Sequence, residues 1–177
     1  MADEIMEAYI SVGSNINPEK NIAKALDYLK EHAKITAIST FYQTRAIDRP
    51  KQPDFVNGIF KIQTDMPARE LKFDVLRKIE SGLGRIHSDD KYIDRTIDLD
   101  IVIYGDMVID EFDLKIPDRD IRRRPFIAIP LLEIEPSLIL PDTGEKLSSL
   151  GIIEAKSDMK PVFNFSEMLR EGIFDEP

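Results

Sequence analysis

The residues with most chemical promise are Asp98 and Asp100, two apart in the run Thr96 to Tyr104. Ile97, Leu99, Ile101 and Ile103 alternate with them, so the run reads as a strand with one aliphatic face. Both carboxylates then leave on the opposite face, with alpha carbons roughly 7 Å apart. Oxygen ligands at that spacing suit magnesium, which is commonly held by one or two carboxylates plus substrate phosphates. Two such ions would bridge the oxygens of a triphosphate and offset charge during an in-line displacement. Arginines suited to phosphate lie nearby: Arg85 and Arg95 before the strand, and Arg119, Arg122, Arg123 and Arg124 clustered after it. An Asp-X-Asp pair alone is more often the solvated face of a half-buried sheet, so its neighbours must decide.

Composition narrows the choices. The 177 residues suit one domain, and no cysteine is present, which removes disulfides, thiolate catalysis and cysteine-held metals. The net charge of -9 opposes general nucleic-acid binding but not a local anion site. There is no apolar run of about 18 residues and no basic leader, so the expectation is a cytoplasmic protein with no membrane partner, and a monomer by default.

Several elements must position the pair. A strand is predicted over Ala8 to Val12, then a turn at Gly13-Ser14-Asn15 and a helix with the stripe Ile22, Leu26, Leu29 and Ala33. A second strand is predicted from Ile35 to Thr44. A third runs from Phe55 to Thr64, with Val56, Phe60 and Ile62 on one face and Phe55, Asn57, Lys61 and Gln63 on the other. Pro67 opens a second helix carrying Ala68, Leu71, Val75 and Ile79, which ends near Gly82 and Gly84. The order is that of an α+β, ferredoxin-like βαββαβ core, an antiparallel sheet with both helices on one face, plus C-terminal additions. Val108 to Ile116 suggests further strand, and Pro125 to Ile134 a short helix. The stretch from Ile152 onward is weakly patterned apart from a short helix near Met168, and no role is assigned to it. The expected organisation is one domain over 1–177, with a core at about 8–142 and an extension at about 151–177.

The block Arg95-Thr96-Ile97-Asp98-Leu99-Asp100-Ile101, followed by Tyr104-Gly105, resembles the signature of the 6-hydroxymethyl-7,8-dihydropterin pyrophosphokinases of folate biosynthesis. Matching motifs keep the family order: Gly13-Ser14-Asn15, Phe41-Tyr42-Gln43-Thr44, Gln52-Pro53-Asp54-Phe55-Val56-Asn57, Leu83-Gly84-Arg85, and Arg124-Pro125-Phe126 leading into Pro130-Leu131-Leu132-Glu133-Ile134. The resemblance implies transfer of pyrophosphate from ATP to the pterin, with two magnesium ions on Asp98 and Asp100 and charge stabilisation by Arg85 and Arg95. It implies ring stacking by Phe55 and Phe126, polar pterin contacts from Asn57 and Thr44, and nucleotide contacts from Glu80, Tyr92, Ile101, Lys115 and Arg124. Three positions depart from the family pattern. Asp118 stands where a histidine is usual, Arg119 where an aromatic or proline is common, and His87 where an arginine is frequent. A second hypothesis is therefore a pterin- or nucleotide-binding relative with weakened catalysis. A ferredoxin-like RNA-binding module ranks low, because the face it would use carries Asp98 and Asp100.

Overall fold

In the computed structural model, residues 4–45, 51–84, 96–155 and 158–175 are described. The chain runs β1 (Met6–Ser14), α1 (Pro18–Leu29), β2 (Lys34–Ile38), β3 (Tyr42–Thr44) and β4 (Phe55–Thr64). A helix then follows in three consecutive pieces: α2 (Ala68–Glu70), a π-helical stretch (Leu71–Leu76) and α3 (Arg77–Gly82). After it come β5 (Asp98–Tyr104), a separate two-stranded ladder of β6 (Ile109–Asp110) and β7 (Lys115–Ile116), a 3-10 turn (Arg119–Arg122) and α4 (Pro125–Ile134). Short 3-10 turns, β8 (Lys160–Pro161) and α5 (Phe163–Phe174) complete it. No helix among the described residues is long and apolar enough to cross a membrane.

The main sheet has the order β5-β1-β4-β3-β8, with β2 also on β4. The pairings of β1 with β4 and β5, and of β2 and β3 with β4, are all antiparallel, as the ferredoxin-like order requires. One face buries Ala8, Ile10, Val12, Val56, Phe60, Ile62, Leu99 and Ile101 against α1 and the three-piece helix. This is the apolar set that the alternation in β4 and the first half of β5 selects.

Two expectations need correction and two are refined. Ile103 does not share a face with Leu99 and Ile101. Tyr9 pairs with Ile103 while Ile10 pairs with Ile101, so a bulge at Val102 lets one extra residue into β5 and reverses the alternation beyond it. Ile103 and Val102 therefore both pack with Tyr9 and Ile59 on the second face. The strand from Ile35 to Thr44 is two strands: between them Phe41 is fully buried against Phe60 and Phe165, ring centroids 5.7 Å away in each case. The further strand expected over Val108 to Ile116 is present as β6 and β7, which pair with each other apart from the main sheet. The short helix expected near Met168 is the twelve-residue α5, whose Phe165 and Leu169 join the core beside Phe41. Ser166 fixes it there, accepting from the Phe41 amide at 2.8 Å and donating to the Val162 carbonyl at 2.8 Å.

The second face of the sheet is the one that positions chemistry. Along its lower half Tyr9, Ile59, Val102 and Ile103 are covered by Ile127, Ala128 and Leu131 of α4 and by Leu140 and Leu147. Its upper half carries Ser11, Gly13, Phe55, Asn57, Asp98 and Asp100, and there a cavity opens at the N-terminal end of α4.

Candidate active site

Strand register dictates which side chains meet. Asp98 lies opposite Gly13 and Asp100 opposite Ser11 across β5 and β1, while Gly13 lies opposite Asn57 across β1 and β4. Asn57 in turn faces Tyr42 of β3. A row therefore runs Asp98, Gly13, Asn57 across three strands. Gly13 keeps the middle low: a β-carbon there would sit 2.6 Å from Asn57 Oδ1, closer than real contacts allow. Its missing side chain leaves a floor between a carboxylate wall and an amide wall.

The cavity above that floor measures about 280 Å³. Thr44, Phe55, Asn57, Asp98, Asp100, Asp118, Arg124 and Phe126 all line it, and in the sheet Asn57 and Asp98 stand on opposite sides of Gly13. Asn57 is buried and donates through Nδ2 to Thr44 Oγ1 at 2.8 Å, which fixes the amide orientation. Phe126 sits in the first turn of α4, immediately after Pro125, and Arg124 is that helix's N-cap residue. Proline at the first helical position sets where α4 begins and so where Phe126 and Arg124 reach the rim.

The carboxylates are crowded. Burial pushes Asp100 above the usual carboxylate range; Lys72 opposes this and Asp98 adds to it. Asp118 is raised to about 6, chiefly by burial, with the Asp120 amide opposing and the Asp100 charge adding. Asp118 is brought here by its own amide, which donates to the Val102 carbonyl at the β5 bulge at 2.9 Å, and its carboxylate accepts from Asp120 N at 2.8 Å. A group of hard oxygen donors whose negative charge is costly when buried fits a magnesium ion, which would remove that cost.

The remaining expected residues are placed elsewhere. Ile101 points into the helix-side core and is 1% exposed, so only its backbone edge is on offer. Glu80 is fully buried and ion-paired with Arg77. Lys115 is exposed on β7, with Nζ 2.6 Å from Asp110 Oδ1. Arg119 is exposed on the 3-10 turn. None of these four side chains lines the cavity. Arg85, His87, Tyr92 and Arg95 lie outside the described residues. Conversely, Ser11, Gln52 and Asp120 line the cavity without having been singled out. Ser11 was recoverable, since alternation in β1 puts it on the face of Gly13; Asp120 carries no signal of its own in the sequence.

Comparison with known proteins bears on the same stretch. Residues 9–136 match the family 7,8-dihydro-6-hydroxymethylpterin-pyrophosphokinase (HPPK). The chain is 35% identical over 142 residues to a 2-amino-4-hydroxy-6-hydroxymethyldihydropteridine pyrophosphokinase of Haemophilus influenzae, covering 78% of this chain and 88% of that one. It is 37% identical over 134 residues to the protein of the same name from Aquifex aeolicus, covering 75% of this chain and 82% of that one. In fold it resembles a Plasmodium falciparum HPPK-DHPS crystal structure with a TM-score of 0.70 at 14% identity, covering 89% of this chain and 47% of that longer one. With the family match spanning most of the sequence and sharing its first strand, its carboxylate strand and α4, the chain belongs to the 7,8-dihydro-6-hydroxymethylpterin-pyrophosphokinase family.

Proposed function

We infer that this chain transfers the pyrophosphoryl group of ATP to the hydroxymethyl group of 6-hydroxymethyl-7,8-dihydropterin, giving AMP and the pterin diphosphate. The observation that carries the reading is one cavity lined by both kinds of group, aromatic rings with a fixed amide and carboxylates with an arginine, with Gly13 between Asn57 and Asp98 in the sheet.

Phe55 and Phe126 stack on the flat pterin, and Asn57 and Thr44 meet its amide edge, which both donates and accepts hydrogen bonds. That places the hydroxymethyl group toward the carboxylate wall. Its oxygen attacks the β-phosphorus and releases its proton to solvent, the bond from that phosphorus to the bridging oxygen of the α-phosphate breaks, and AMP leaves with the electron pair. Asp98 and Asp100 would hold magnesium, two ions with ATP, which when bound would neutralise charge on the phosphate oxygens, and Arg124, with Arg85 and Arg95 from outside the described residues, would brace the phosphates. Catalysis rests on alignment and fixed charge. Ile101, through its backbone, and Lys115 meet the nucleotide, as does Tyr92, whereas the fully buried Glu80 keeps to its ion pair with Arg77. The whole chain acts as one unit, in the cytoplasm and as a monomer.

Alanine at both Asp98 and Asp100 should lower AMP release in the presence of pterin by at least about a hundredfold, the scale of losing a major electrostatic contact. Unchanged turnover would remove these carboxylates from the reaction. A second reading, a relative that binds both ligands but turns over weakly, draws on Asp118 adding a third carboxylate to the phosphate side. Tight pterin binding with AMP release at background would favour it.

A further inference from the structure

The Lys72 side chain is only 12% exposed, and its Nζ lies 3.7 Å from Asp100 Oδ1. It reaches this point from the π-helical stretch, whose wider turn of i to i+5 bonding re-aims the side chains at the edge of β5. The same Nζ donates to the Asp113 carbonyl at 2.9 Å, so the ammonium is held from two sides, by the strand and by the segment between β6 and β7. Lys72 therefore contacts one of the four carboxylates that line the cavity, Asp98, Asp100, Asp118 and Asp120, and its charge also favours the ionised form of Asp118.

A cation fixed there has a consequence for charge. Crowded carboxylates without it would attract any divalent ion from solution. With it, Asp100 is already balanced, and an incoming metal must compete with an ammonium that cannot leave without losing its Asp113 contact. A nucleotide changes that balance, because its phosphates bring negative charge that both the metal and the ammonium can share.

We propose that Lys72 is a positioning residue of this site, the built-in counter-charge of Asp100 that keeps divalent cations weakly bound until nucleotide phosphate arrives. The proposal rests on the assignment of Asp98 and Asp100 as the metal-holding pair. Lys72 thereby couples metal binding to nucleotide binding, and metal without nucleotide is disfavoured.

The test is Mn2+ titration of the full chain by electron paramagnetic resonance, with and without α,β-methylene-ATP, which binds without reacting. Lys72→Met keeps the aliphatic stem and removes the charge, with Lys72→Gln as a second neutral variant should the first fold poorly. Either should bind Mn2+ alone about fivefold to tenfold more tightly, the size expected for a unit charge a few ångströms away in a solvent-exposed site. Both should reduce the tightening that the analogue produces, and Lys72→Arg should restore near-native behaviour. A merely structural tether between helix and hairpin would lower the melting temperature and leave Mn2+ affinity unmoved, which would overturn the proposal. Asp100→Asn separates the two claims: weakened Mn2+ binding there, with no effect of Lys72→Met, rejects the role of Lys72 alone. No change in Asp100→Asn would reject the metal assignment beneath it.

Discussion

Replacing Asp118 by asparagine should stabilise the protein in the absence of metal and nucleotide, and do so more at alkaline than at acid pH. Burial pushes this carboxyl up to about 6 in the folded chain, from the ordinary carboxylate value of about 3.9 in the unfolded one. The folded state therefore holds a proton more tightly than the unfolded state, and native stability falls as pH rises between those values. Below the lower value the carboxyl is neutral in both states and costs nothing. Above the upper value the full cost applies, roughly 3 kcal/mol from the shift of about two units, and about half of that at pH 5. Solvent reaching the cavity screens part of this, leaving roughly 1–2 kcal/mol as the gain expected at pH 8. Asparagine keeps an oxygen for the Asp120 amide, so the cap of the 3-10 turn survives the change. For a chain of this size that gain corresponds to a rise of about 2–8 °C in melting temperature. Thermal unfolding followed by circular dichroism with EDTA, for both proteins at pH 5 and pH 8, measures it. An equal difference at both pH values, or a destabilised variant at pH 8, would refute the claim that burial of this charge is what raises its pKa.

Other expectations follow from single contacts. Gly13→Ala places a β-carbon against Asn57 Oδ1, so the amide must turn away from Thr44; the KM for pterin should rise about tenfold or more with a smaller change in the KM for ATP, as steady-state kinetics would report. Ser166→Ala removes the buried acceptor of the Phe41 amide and should cost about 1–3 kcal/mol in urea unfolding, with kcat little changed because α5 lies on the helix side of the sheet. An unaltered unfolding midpoint would mean that α5 is docked by its aromatic residues alone.

Much of the site was legible because strands translate sequence into direction. Period-two alternation in Phe55 to Thr64 and Thr96 to Ile101 separated core from cavity before any coordinates, and put Phe55, Asn57, Asp98 and Asp100 on their correct faces. The grouping of Arg124 and Phe126 with them came from the family resemblance, since nothing in local pattern says where α4 crosses the sheet. The bulge at Val102 was hidden because it is a property of the register between β5 and β1, not of β5. α5 was nearly invisible for a different reason. Phe165 and Leu169 are buried while Phe163, Met168 and Phe174 are exposed, so apolar residues surround the helix and blur its stripe. Lys72 carries no signal at all: its position depends on a π-helical turn and on the segment between β6 and β7, two features that only the folded chain brings together.

Phosphorus NMR of the complete reaction reaches the central claim most directly. With ATP, magnesium and the hydroxymethyl dihydropterin, AMP and a pterin-linked diphosphate should grow in equal amounts as ATP disappears, and both should be lost when Asp98 and Asp100 are replaced together. Appearance of ADP with a pterin monophosphate, or of AMP and free pyrophosphate with the pterin unchanged, would contradict it.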